Sequence, residues 1–149
     1  MCNHSKIARQ ISAILMIVAF PCLAADQFRI DPDHSFAAFE YDHWGLSYQR
    51  GRFDKTSGVI ELDVEAKSGL IEITIETASI STGVGVFDKI LRSGDFFDTD
   101  NYPKTNFKSS RLIFDADRLT RVEGDLTIKG IKRPATLEIS RFNCRFMVL

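Results

Sequence analysis

The segment Leu70-Ile71-Glu72-Ile73-Thr74-Ile75-Glu76 places three isoleucines on one phase of a two-residue alternation and Glu, Thr, Glu on the other. Successive side chains of a strand point to opposite faces, so this pattern predicts a strand with one buried face. Similar segments recur at Ser35–His43, Gly58–Val64, Thr105–Phe114, Arg121–Lys129 and Ala135–Ile139. Turn signals separate them at Asp31-Pro32-Asp33, Lys67-Ser68-Gly69, Asn101-Tyr102-Pro103, and Lys129-Gly130 before Pro134. Strands joined by short turns predict an all-β antiparallel meander. One stretch breaks the alternation. Between Gly85 and Phe97, Phe87, Ile90 and Leu91 recur at helical spacing and Gly94 ends the run, which predicts one short helix across a sheet opening or rim.

The first 24 residues read differently. Lys6 and Arg9 precede an apolar run from Ile11 to Phe20, then Pro21-Cys22-Leu23-Ala24. This is the pattern of a cleaved export signal, too short to span a bilayer. The expected cut follows Ala24, with Ala25 as the alternative. Pro21 occupies the place where a lipid-anchor signal needs a small residue before its cysteine. Residues 25–149 then form one domain with no stable membrane span. The chain's 19 basic and 20 acidic side chains become 17 and 20 once Lys6 and Arg9 are lost, a net charge of −3. Without a basic stripe there is no electrostatic case for nucleic acid. Cys2 and Cys22 leave with the signal, so Cys144 has no internal disulfide partner.

Alternation alone does not say which face is inside. A lipid-holding barrel buries its apolar phase, whereas a membrane barrel turns it toward lipid. Runs of mostly five to nine residues favour the former, because membrane strands need about 9–11.

From Asp31 to Ile139 the sequence resembles the YceI-like family of periplasmic lipid- and polyisoprenoid-binding proteins. The resemblance rests on Asp31-Pro32-Asp33-His34-Ser35, Phe39, His43-Trp44-Gly45-Leu46-Ser47, Gly51-Arg52-Phe53 and Ser57-Gly58. It continues in Leu91-Arg92-Ser93-Gly94-Asp95-Phe96-Phe97-Asp98, Tyr102-Pro103, Phe107-Lys108-Ser109, Gly124 to Gly130, and Pro134. It implies a lipocalin-like barrel, eight-stranded in the family, whose apolar cavity holds an isoprenoid or fatty-acyl chain. Two departures are visible. Thr56 stands where the family often has an aromatic, and residues 140–149 resemble nothing in the family. That tail reads as the product of a frameshift or early stop, so the expected barrel is incomplete. Its open edges invite self-association, with Cys144 available for an intermolecular disulfide.

The apolar phase contains Ala37, Phe39 and Tyr41, then Ile60, Leu62, Ile71, Ile73, Ile75, Phe107, Leu126, Ile128, Leu137 and Ile139. Composition allows these to fill a solid core; the resemblance implies that they line a cavity. Arg50, Arg52 and Arg92 are candidates for an anionic headgroup, or else solvated rim charges. His34 and His43 lie near Asp31, Asp33, Glu40 and Asp42, but an extended strand separates the histidines by about 30 Å. No compact metal motif is present, and no metal or other cofactor is expected. Asp95 and Asp98 read as turn caps. Catalytic signatures such as a Gly-x-Ser-x-Gly elbow are missing, and Gly83-Val84-Gly85 lacks a nucleotide loop's third glycine. The expected function is a non-catalytic periplasmic carrier of a long-chain lipid. The alternatives are a nonfunctional fragment of that family, or a hydrolase acting on an apolar substrate.

Overall fold

The isoleucine segment forms β5 (Ser68–Glu76), flanked by β4 (Thr56–Asp63) and β7 (Lys104–Asp115) in a computed structural model that describes residues 25–141. The remaining elements are β1 (Asp26–Arg29), β2 (Ala37–His43), β3 (Ser47–Phe53), β6 (Ile80–Ser81), α1 (Gly85–Arg92), β8 (Arg118–Ile128) and β9 (Ile131–Glu138), with a 3-10 turn at Thr77–Ser79. All strand pairs are antiparallel, in a six-stranded sheet β1-β4-β5-β7-β8-β9 and a three-stranded sheet β2-β3-β6. The export signal and the tail from Phe142 lie outside the described residues.

The two sheets are halves of one bent ribbon. β3 runs into β4 across Asp54-Lys55, and β5 into β6 across the 3-10 turn. The ladder continues through the bend: Asp54 N–H donates to the Ser79 carbonyl and Glu76 N–H to the Lys55 carbonyl, both at 3.0 Å. The result is the expected antiparallel meander with one short helix. The sheet curls as a barrel wall does but is not closed among the described residues, where β2 pairs only with β3 and β9 only with β8.

β1, β3 and β6 are strands that alternation did not predict, and β9 begins at Ile131, so Pro134 lies inside it rather than before it. Proline is tolerated near a sheet edge because its missing N–H leaves few ladder bonds broken. β7 and β8 reach 12 and 11 residues, so strand length does not separate the two barrel types. The faces do. The apolar phase is buried or half-buried except toward the β8–β9 turn, where Ile128 and Ile131 are exposed, while the opposite phase carries exposed cross-strand pairs such as Glu72–Lys108 at 2.6 Å and Asp125–Lys132 at 2.9 Å.

Packing on the inner face is divided in two. Leu62, Ile71, Phe107, Leu119 and Val122 form one buried cluster, and Phe53, Ile80 and Leu91 form another. Ile73 packs against the first and Ile75 against the second, so β5 bridges them. Two glycines permit the aromatic packing. A Cβ on Gly51 would lie 2.5 Å from the Phe39 ring, and one on Gly124 would lie 2.7 Å from the Phe107 ring.

Thr56 and Thr105 stand opposite Ile75 on its two neighbouring strands. Both are buried, and their hydroxyls have no hydrogen-bond partner among the described residues. An unpaired buried hydroxyl costs about 1–3 kcal/mol. Thr105→Val is therefore expected to raise stability by about 1 kcal/mol, read as a higher urea midpoint. Thr77→Val should lower it by a similar amount, because the buried Thr77 hydroxyl donates to the Tyr102 carbonyl at 2.7 Å.

Candidate functional site

The site begins with how α1 is tied down. Its first turn is held by Asp88, whose carboxylate accepts from the Thr82 hydroxyl at 2.6 Å and the Thr82 N–H at 2.8 Å. The hydroxyl bond is the main reason that this carboxyl titrates below the usual aspartate value. At the other end, the Arg92 guanidinium donates to the carbonyls of Ala78 at 2.9 Å and Ile80 at 2.7 Å. So anchored, α1 buries Leu91 against Phe53 and Ile80 and brings Phe87 to 6.2 Å from Tyr41.

The loop after α1 turns back on itself. Phe97 N–H donates to the Leu91 carbonyl and Asp98 N–H to that of Ser93. This sets Phe97 perpendicular to Phe53 at 5.3 Å and 6.3 Å from Phe39. Asp98 also accepts from the Asn101 amide at 2.9 Å, a turn-stabilising role like that expected of it.

Between helix, loop and β2 lies an apolar hollow of 360 Å³ lined by Phe39, Tyr41, His43, Phe87, Leu91, Phe96 and Phe97. A smaller one of 220 Å³ shares Tyr41, His43 and Phe87 with it and adds Gln49 and Thr82, a more polar end. A second apolar hollow, of 440 Å³, lies against the inner face of β8 and β9 and includes Leu126, Ile128, Ile131 and Ala135. Lys129, also in its lining, donates to the Gly94 carbonyl at 2.9 Å. Gly94 belongs to the same loop as Phe96, so this bond ties the loop that walls the first hollow to the turn that walls the second.

Of the residues expected to line a cavity, Phe39 and Tyr41 border the first hollow and Leu126 and Ile128 the second. Leu62, Ile71 and Phe107 are buried in the first cluster, with Ile60, Ile73, Leu137 and Ile139 packed around it. Ala37 and Ile75 pack against the second. The three candidate arginines are engaged elsewhere. Arg50 pairs with Glu40 and Arg52 with Asp54, and both line an outer hollow beside Ala38. Arg52 also lies 4.2 Å over the Phe36 ring, and Arg92 is spent on backbone carbonyls.

Alternation missed Phe87, Phe96, Phe97 and Arg133 as lining residues. Helical spacing marked Phe87, and Phe96-Phe97 lie in the Leu91–Asp98 stretch that carries part of the family resemblance. Arg133 is in phase with Ala135 and Leu137, but reading Pro134 as punctuation hid it.

His34 and His43 flank β2 at opposite ends, and no group of three or more His, Cys, Asp or Glu side chains converges among the described residues. No helix among those residues is long and apolar enough to cross a membrane. His34 Nδ1 lies 2.8 Å from the Asp31 carboxylate, which raises the histidine pKa and lowers that of the aspartate. The pair favours folding most between these two titrations. The histidine contribution is lost as pH rises through its raised pKa, and the aspartate contribution as pH falls through its lowered one. An NMR titration should find His34 above the ordinary histidine value in the wild type and closer to it in Asp31→Asn. Identical curves would remove the pair.

A YceI-like domain model matches residues 28–147, a stretch that begins before Asp31 and runs past Ile139. Protein YceI of Shigella flexneri is 37% identical over 129 residues, covering 85% of this chain. The match spans 66% of that relative's length. Among solved structures, Burkholderia cenocepacia BcnA aligns with a TM-score of 0.58 at 30% identity, over 68% of this chain and 63% of its own. The Campylobacter jejuni YceI protein aligns with a TM-score of 0.58 at 28% identity, over 75% of this chain and 67% of its own.

Proposed function

This chain belongs to the YceI-like domain family, and from that footing we propose that it is a non-catalytic binding protein for one long apolar chain, an isoprenoid or fatty-acyl lipid. The observation that carries the reading is the aromatic hollow between α1 and β2, walled by Phe39, Phe87, Leu91, Phe96 and Phe97. Its rim adjoins the apolar inner face of β8 and β9, so a chain leaving one hollow meets a second apolar surface. Burying an alkyl chain contributes about 0.8 kcal/mol per methylene, from which association and ordering costs are subtracted. About a dozen buried methylenes contribute about 10 kcal/mol before those costs, a driving force that calls for no metal, cofactor or covalent bond.

The basic start, apolar run and Ala24 support the periplasm as the place of action. Protein isolated from that fraction should begin at Ala25 or Asp26 by N-terminal sequencing. Native mass spectrometry of the same material, with lipid extraction, tests the ligand. The expected result is one long-chain lipid per protein, displaced by a fluorescent acyl probe. No extractable lipid together with no saturable probe binding would overturn the reading.

A further inference from the structure

One cation stands on the wrong phase of the sheet. In register, Ile73 of β5 is opposite Phe107 of β7, Phe107 is opposite Leu126 of β8, and Leu126 is opposite Arg133 of β9. Arg133 therefore ends an otherwise apolar row and lines the 440 Å³ hollow with Leu126, Ile128, Ile131 and Ala135. Its neighbour Lys132 is on the outer phase and pairs with Asp125 at 2.9 Å. The other acids of this part of the sheet, Glu72 and Glu123, are likewise on the outer phase and face Lys108 and Arg111. Arg133 has no ion pair or side-chain hydrogen bond among the described residues, and no carboxylate shares its hollow.

Lys129 supplies a second cation to the same lining. It has spent one N–H on the Gly94 carbonyl, which leaves two for another acceptor. A planar guanidinium and an ammonium at the end of an apolar hollow complement a molecule with anionic oxygens at one end and hydrocarbon behind them.

We propose that Arg133, assisted by Lys129, makes this protein selective for single-chain amphiphiles with an anionic headgroup, a carboxylate or a phosphate ester. The inference rests on the binding function proposed above and narrows its ligand class. The guanidinium takes two headgroup oxygens in a bidentate contact, the ammonium a third partner or the same oxygens, and the chain runs over Leu126 and Ile128. Arg50, Arg52 and Arg92 play no part, since each is already paired or bound to carbonyls.

The experiment compares three probes of matched chain length, a fatty acid, a prenyl monophosphate and an uncharged long-chain alcohol, by calorimetry at low salt. The wild type should bind one or both anions at least about tenfold more tightly than the alcohol, as expected of a charge-assisted contact. The preference should shrink as salt is added. In Arg133→Gln the preference should vanish, so that anions and alcohol bind alike, with an unchanged circular dichroism spectrum and urea midpoint reporting the intact fold. Lys129→Gln should remove part of it. The stronger anion identifies the source, fatty acid or prenyl phosphate. Alcohol and anions bound equally by the wild type, or an anion preference that survives Arg133→Gln, would overturn the inference and leave the binding function standing. No saturable binding of any probe would overturn both.

Discussion

Ile73→Glu should abolish binding of a long-chain probe, whereas Glu72→Lys, one residue away, should leave it within about twofold. Ile73 packs beside the buried cluster and faces Gly58 and Phe107 across its two ladders. A carboxylate there leaves water for an apolar surface at a cost of several kcal/mol unless it takes up a proton. Burial raises a carboxyl pKa, so the damage has a defined pH dependence. It is smallest below the ordinary glutamate value, grows as pH rises, and levels off above the raised pKa. Circular dichroism at acid and neutral pH would separate loss of fold from loss of site. Glu72 faces outward in an exposed pair with Lys108, and such pairs are worth about 0–1 kcal/mol. Probe binding that survives Ile73→Glu in folded protein but is lost on Glu72→Lys would reverse the assignment of faces.

The largest effect on stability is expected at Ile80, which is fully buried at 0% exposure in the smaller cluster. Ile80→Ala should cost about 2–5 kcal/mol, a large share of a domain stability of about 5–15 kcal/mol. Ile131→Ala, at a position 60% exposed, should change stability by less than about 0.5 kcal/mol. Urea melts of both variants make the comparison, and a loss below about 1 kcal/mol for Ile80→Ala would show that the site collapses around the gap. Hydrogen exchange adds a spatial test. The smaller cluster has three buried members against five in the other, so β3, β6 and α1 should open before β7 and β8.

The strands that reported themselves are those whose inner phase is rich in branched aliphatics. β5 needs nothing beyond Ile71, Ile73 and Ile75 to declare its face. β3 does not declare itself, because its inner phase is Ser47, Gln49, Gly51 and Phe53 and its outer phase holds Arg50 and Arg52. The small residue there serves the Phe39 ring of the neighbouring strand, a need that no pattern within β3 expresses. β1 and β6 are too short for a period, and the bend between β3 and β4 is made by backbone groups of Asp54, Lys55, Glu76 and Ser79. Site residues divide in the same way. Spacing located the helix and Phe87, but the pairing of Arg50 with Glu40, ten residues away, is visible only once β2 and β3 are in register, whereas Arg52 and Asp54 meet as near neighbours at the end of β3.

The bent ribbon also sets an order of assembly. Lys129 and Gly130 both have positive φ, +48° and +73°, as a type I′ turn requires, so the β8–β9 hairpin can close locally within microseconds. β2–β3, β4–β5 and β7–β8 are likewise pairings between consecutive strands with little loop entropy to lose. Pairing of β3 with β6, of β1 with β4 and of β5 with β7 is different: each joins strands that are not consecutive, so the segments between them must be ordered as well. Refolding of this chain is therefore expected to have its slow step among these non-local pairings rather than in any hairpin, and the aromatic hollow, whose Leu91 and Phe97 pack on Phe53, waits on the β3–β6 pairing.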